Sequence, residues 1–258
     1  MTSEATPLLH DLIVRGRDTD ELSLAVGDLR AGETVERSDG DELVAVVLDG
    51  VVDATVGDER LGRAGGRGEP FTSPGHAVYA AAPAALRLTA VSETARVAVV
   101  GAPADGAPGG PARIIAPDEQ TVATVGEGNW QRTVRTILGP AQPAARLLVG
   151  ETISAPGNWS SYPPHKHDQH RPPDEASLEE VYFFKLEPEG GFGVQLLYEP
   201  GSEEAFTVRD GDVAVIRSGY HPVVAAPGYR LYYLWALAGE GRELIPWFDP
   251  RHVWVQER

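Results

Sequence analysis

Apolar residues come in short runs along the chain, and Gly, Pro, Asp or other polar positions interrupt most of them after four to eight residues. The runs are Glu42–Leu48 with Val51–Val56, Ala85–Val91 with Ala95–Val100, Ala145–Val149, Val181–Lys185, Phe192–Tyr198, Val213–Ile216 and Tyr229–Leu237. They are rich in Val, Tyr, Phe and Leu, which fit a pleated, half-buried surface, so each predicts a strand. Asp49-Gly50, between two runs, predicts a hairpin, and Pro188–Gly191 predicts a longer one. No window of a dozen residues carries a period near 3.6, and only Ser3–Leu12 reads as a short helix. Many short strands at regular spacing predict an all-β sandwich or barrel.

A change of texture at Gly101–Pro111, GAPADGAPGGP, reads as an exposed linker between two all-β pieces, residues 1–105 and 112–258. The pieces share no residue-level repeat and differ in chemistry. All five Trp and five of the seven His lie in the second piece, leaving only His10 and His76 in the first, which reads as scaffold. With 42% apolar residues the chain has ample material for a core. A net charge of −16 opposes contact with phosphate backbones or anionic lipid, so neither nucleic acid nor membrane is the expected partner. The absence of Cys removes disulfides, thiolate metal sites and cysteine nucleophiles together, so any metal falls to His and carboxylate. Lys occurs only at Lys166 and Lys185, neither in an apolar stretch that would lower its pKa for Schiff-base chemistry. No secretory signal or long apolar run is present, and a cytoplasmic protein is expected.

The densest chemistry lies in Gly157–Asp168, GNWSSYPPHKHD. His165 and His167 are two apart, so on a strand both project to one face and can share an ion. Pro163-Pro164 just before them favours extended backbone. Leu178-Glu179-Glu180-Val181-Tyr182 opens a later strand with acids, and Gly219-Tyr220-His221-Pro222 follows the strand Val213–Ile216. Three imidazoles and one carboxylate suit zinc, manganese, iron or nickel, and argue against calcium or magnesium. Lys166 alternates away from its two His neighbours. His170 reads as a loop residue, His10, His76 and His252 as surface or structural, and the glycines of Gly65–Gly68 as a turn rather than a phosphate loop.

The order His-x-His, Glu, His resembles a cupin, the small antiparallel β-barrel that binds a metal through two His-and-Glu motifs. More specifically, GNWSSYPPHKHD, LEEVYFF, GDVAVIRSGYHPV and PGYRLYYLWALAG resemble the 5-deoxy-glucuronate isomerases of myo-inositol catabolism, relatives of the 4-deoxy-uronate isomerases. Gly128–Val134, GNWQRTV, is similar to that family too, and the resemblance covers about residues 126–254 closely. It implies a bicupin, two jelly-roll-like antiparallel barrels in tandem with a degenerate first barrel. It implies His165, His167, Glu180 and His221 as ligands of a divalent cation, zinc foremost, with manganese, iron or nickel as alternatives. Glu180 rather than Glu179 directly precedes the Val-Tyr of the strand, and alternation allows only one of the two acids to face the ion.

The implied reaction converts 5-deoxy-D-glucuronate to 5-dehydro-2-deoxy-D-gluconate by moving a hydrogen from C2 to C1. Such a reaction needs a proton shuttle beside the metal, for which Glu179, Tyr162 and Tyr220 are the candidates. It also needs a cation for the substrate carboxylate, for which Arg132, Arg146 and Arg217 are candidates, with Gln195, Tyr182 and Tyr233 as further wall residues. The same ligands would suit an Fe(II) dioxygenase, and a non-catalytic sugar-binding bicupin is a third reading. Edge strands of such folds pair readily, which makes a homo-oligomer the expected assembly.

Overall fold

The computed structural model describes residues 9–257 and consists of strands, with three short 3-10 turns and no α-helix among the described residues. The start of the helix expected over Ser3–Leu12 lies outside the described residues, and Leu9–Ile13 is a strand.

In the first half, a six-stranded sheet runs in the order Leu9–Ile13, Ser23–Arg30, Thr94–Ala102, Glu42–Asp49, Ala77–Ala80, Arg113–Ile115. It packs on a four-stranded sheet of Thr34–Arg37, Leu86–Ala90, Val51–Val56 and Glu59–Gly65. In the second half, the large sheet runs Thr121–Val125, Arg132–Leu138, Leu148–Ser154, Arg230–Gly239, Glu175–Glu187, Asp168–Arg171, with Val213–Ile216 also paired to Glu175–Glu187. Opposite it lie Trp159–Ser160, Val223–Ala225, Gly193–Glu199 and Ser202–Val208, while His165–Lys166 pairs with Trp247–Phe248. The strand ladders are antiparallel. None of these sheets closes on itself, so the expected barrels are open sandwiches. Thr121–Val125, for example, ends its sheet as a largely exposed edge.

The longest apolar runs are the strands buried on both faces. Along Glu42–Asp49, Leu43, Ala45 and Val47 face the first sandwich, while Val44, Val46 and Leu48 face a core shared by the two large sheets. Along Arg230–Gly239, Tyr232, Leu234 and Ala236 enter that shared core, and Leu231, Tyr233, Trp235 and Leu237 enter the second sandwich. The molecule is therefore four layers of sheet with three cores.

Two expectations fail for one reason. Asp49-Gly50 and Pro188–Gly191 are not hairpin turns, because the strands on either side of each belong to different sheets. Each is a corner where the chain crosses from one layer to the next. Gly50 has φ +75°, and a Cβ there would fall 2.3 Å from the Thr94 carbonyl oxygen, so the corner requires glycine. The expected linker is likewise docked. The Gly110 amide donates to Tyr79 Oη at 3.1 Å, and Arg113–Ile115 beyond it pairs with Ala77–Ala80 of the first half.

Charge joins the halves as well. Glu151 on Leu148–Ser154 is fully buried and receives Arg67 of the first half (2.5 Å), Arg135 (3.2 Å) and Tyr232 Oη (2.9 Å). Glu42 of the first half accepts the amides of Ala145, Arg146 and Leu147.

Candidate metal centre and its cavity

Strand alternation builds the site. On Glu175–Glu187, Glu180 points into the second sandwich with Tyr182 and Phe184, and Glu179 points the opposite way. His165 approaches from the short strand His165–Lys166, His167 from the residue after it, and His221 from the turn after Val213–Ile216. His167 Nε2 lies 3.2 Å and His221 Nε2 3.3 Å from Glu180 Oε2. The donor atoms of these three residues fall within 4.8 Å of one another, a spacing able to hold an ion. His165 completes the group at the level of its ring, edge-on to His221 at 4.9 Å and 6.3 Å from His167.

The orientation of the imidazoles comes from the backbone. His167 Nδ1 donates to the Leu178 carbonyl at 2.9 Å and His221 Nδ1 to that of Gly219 at 3.0 Å, which leaves each Nε2 lone pair turned inward. His221 Nε2 is buried with no hydrogen-bond partner among the described residues, an orphan that a bound cation would satisfy. Burial, together with His221 and His167, holds His165 well below its ordinary pKa, in the neutral form that ligates. Burial alone would raise Glu180, yet His167 and His221 keep it ionised with a pKa of about 2. The buried His167, Glu180 and His221, with the half-buried His165 beside them, offer a donor set that fits a divalent transition ion.

The His221 turn is pinned from three sides. The Gly219 amide donates to Asp168 Oδ2 (2.8 Å), tying the turn to the residue after His167. Gly219 has φ +82°, and a Cβ there would meet the Tyr198 carbonyl at 2.8 Å. Gln195 Nε2 donates to the His221 carbonyl at 2.8 Å. Lys166, facing away from the imidazoles as its alternation predicts, bonds Asp168 and Glu175.

His165, His167 and Glu180 open into a cavity of about 250 Å³. Tyr182, Tyr233 and Arg132 line it, and Ser160, Ser161 and Thr152 join them. Tyr182 Oη donates to Glu180 Oε2 at 3.2 Å and meets Ser161 Oγ at 3.0 Å, while Tyr233 Oη pairs with Ser160 Oγ. Arg132 donates to the carbonyls of Trp130 and Tyr162 and has no carboxylate partner among the described residues. Burial lowers its pKa below the ordinary guanidinium range.

Six of the expected site residues stand elsewhere. Glu179 accepts the amides of Asp20 and Glu21, bracing the first half. Tyr162 turns its ring outward against Trp130, Trp159 and His252. Tyr220 stacks on Tyr198 at 5.1 Å. Arg146 is held by Glu21 and Asp105, and Arg217 donates to the Asp18 carbonyl. Gln195 is fully buried behind the His221 turn, with no surface on the cavity. His170 lies on the exposed strand Asp168–Arg171 rather than in a loop, facing Glu240 at 3.1 Å. The serines and Thr152 were missed because a hydroxyl carries no periodic signal, although Ser160-Ser161 sits inside the string that carried the resemblance.

Residues 7–255 match the KduI/IolB family. The chain is 42% identical over 233 residues to a 5-deoxy-glucuronate isomerase of Geobacillus kaustophilus, covering 89% of this chain and 83% of that one. It is 35% identical over 261 residues to the 5-deoxy-glucuronate isomerase of Bacillus subtilis, covering 99% and 95%. An IolB-like protein from Salmonella typhimurium superimposes with a TM-score of 0.88 at 32% identity, over 97% of this chain and 100% of that one. A Bacillus subtilis oxalate decarboxylase superimposes at 0.62 with 12% identity, over 93% and 74%, a likeness of cupin fold alone. On these matches the chain belongs to the KduI/IolB family.

Proposed function

We propose that this protein is a 5-deoxy-glucuronate isomerase, a metal-dependent aldose–ketose isomerase whose cation is held by His165, His167, Glu180 and His221. The observation that carries the reading is the pairing of the buried imidazole–carboxylate group with an arginine lacking an acid partner in one cavity. When bound, a divalent ion supplies a Lewis acid that polarises the aldehyde and acidifies the neighbouring hydroxyl. Zinc suits the ligand set best, and manganese, iron and nickel suit it too.

The chain's own residues set the substrate's position. Arg132 offers a guanidinium to the substrate carboxylate, in a half-buried place where a charge-assisted pair is strong. Tyr182, which burial pushes well above its ordinary pKa, stays protonated and serves as a hydrogen-bond donor rather than a base. The first half acts as scaffold, holding the large sheet through Glu42, Arg67 and the amides that Glu179 accepts.

Proton NMR of 5-deoxy-D-glucuronate with metal-loaded protein tests the proposal. Loss of the C1 signals with one equivalent of 2-keto product is expected, with a silent oxygen electrode. Oxygen uptake coupled to substrate loss would instead assign a dioxygenase. Binding without conversion would assign a sugar-binding protein.

A further inference from the structure

Ser161 is one of two non-glycine residues with positive φ among the described residues, at +50°. This left-handed conformation is unfavourable for a side chain other than glycine and persists only where the surroundings impose it. Its consequence is visible in the lining of the cavity. In a regular strand Ser160 and Ser161 would face opposite sides, but here both turn into the same cavity and Tyr162 is thrown outward. Ser161 Oγ lies 3.0 Å from Tyr182 Oη, and Ser160 Oγ is hydrogen-bonded to Tyr233 Oη. The two tyrosine rings pack together at 4.3 Å, which gathers the four hydroxyls on one wall of the cavity. Tyr182 Oη reaches Glu180 at 3.2 Å, and Arg132 lines the same cavity.

We infer that Ser160, Ser161, Tyr182 and Tyr233 are specificity-determining residues whose hydroxyls bind the C3 and C4 hydroxyls of the open-chain substrate. The inference rests on the isomerase reading and deepens it. With the aldehyde and C2 oxygens at the imidazole end and the carboxylate on Arg132, the substrate has two hydroxyls left, on C3 and C4. A hydroxyl pair both donates and accepts, so it matches a sugar hydroxyl in either sense, and an apolar wall would match neither. A site built in this way rejects an analogue lacking the hydroxyl, because its own polar groups are then left unpaired.

The test compares kcat/KM for 5-deoxy-D-glucuronate, its 3-deoxy analogue and its 4-deoxy analogue. The proteins are the metal-loaded wild type, Ser161→Gly, Ser161→Ala and Ser160→Ala. The wild type should prefer the full substrate over either analogue by on the order of tenfold or more. Both Ser161 variants and Ser160→Ala should each lose the preference against at least one of the two analogues. Metal content should be unchanged throughout. Ser161→Gly should melt at or above the wild-type temperature, since glycine tolerates this φ, which separates a lost hydroxyl from a lost fold. A wild type that converts all three compounds equally, or a Ser161→Gly that keeps the full preference, overturns the inference and leaves the isomerase reading standing. A wild type that converts none of them overturns the isomerase reading and this inference with it.

Discussion

Glu179 and Glu180 are adjacent, identical in chemistry and opposite in task, because a strand sends them to different layers. Glu180 sits among imidazoles, and Glu179 accepts two backbone amides from the first half. Glu180→Gln should therefore weaken metal binding beyond the ~10–100-fold typical of outer-shell residues. Glu179→Gln should leave metal affinity and turnover intact and lower stability by about 1–2 kcal/mol. Chelator competition and thermal melting on the two variants separate these outcomes. Alternation said that only one of the two acids faces the imidazoles, and the family resemblance picked Glu180. What it could not supply was the partner of each outward-facing residue. Arg146 and Arg217 looked as suitable for a carboxylate as Arg132, and only the folded chain sets Glu21, Asp105 and the Asp18 carbonyl against the first two.

Elements were legible where apolar residues either alternate or run on. Val51–Val56 and Val213–Ile216, buried on alternate residues, keep the bounds the pattern gave, and Glu42–Leu48 and Tyr229–Leu237, buried on both faces, shift by a residue or two at one or both ends. Thr121–Val125 and Ser202–Val208 are mostly exposed edge strands that the pattern missed, the second because its opening Ser and Glu residues break the apolar run. The corners misled because a Gly turn between apolar runs looks alike whether the next strand pairs with the last or crosses to another sheet. Gly50→Ala should test the corner directly. With φ +75° and the Thr94 carbonyl in the way, a loss of at least about 2 kcal/mol is expected in chemical denaturation.

The strand Trp247–Phe248, paired to His165–Lys166, is anchored by Asp249, which takes Tyr198 Oη at 2.9 Å and the Arg251 guanidinium at 2.7 Å. Burial would raise Asp249, but its bonds from Arg251 and Tyr198 hold it at about 2. A carboxylate depressed on folding stabilises above its unfolded pKa of ~3.9 and loses that contribution as pH falls towards 2. The difference in melting temperature between wild type and Asp249→Asn should thus be full at pH 5 and shrink by pH 3.

At the scale of the whole molecule, the two sandwiches share a core and the buried Arg67–Glu151–Arg135 cluster, so they are expected to unfold as one unit. Removing one member leaves uncompensated buried charge, so Glu151→Gln should cost about 3–5 kcal/mol. All five Trp lie between Trp130 and Trp254, so their fluorescence reports the second half, whereas circular dichroism reports both. The two unfolding curves should coincide in wild type, and a separate early transition seen by dichroism alone would show halves that unfold independently.

The account turns on one cation in the second sandwich, and stoichiometric reconstitution addresses it most directly. Chelator-stripped protein is titrated with zinc, manganese, iron(II) or nickel while bound metal and conversion of 5-deoxy-D-glucuronate are read together. Isomerase activity should rise in step with metal to a break at one ion per chain, with His221→Ala showing neither. Full activity in the stripped protein, or an ion bound equally well by His221→Ala, would contradict it.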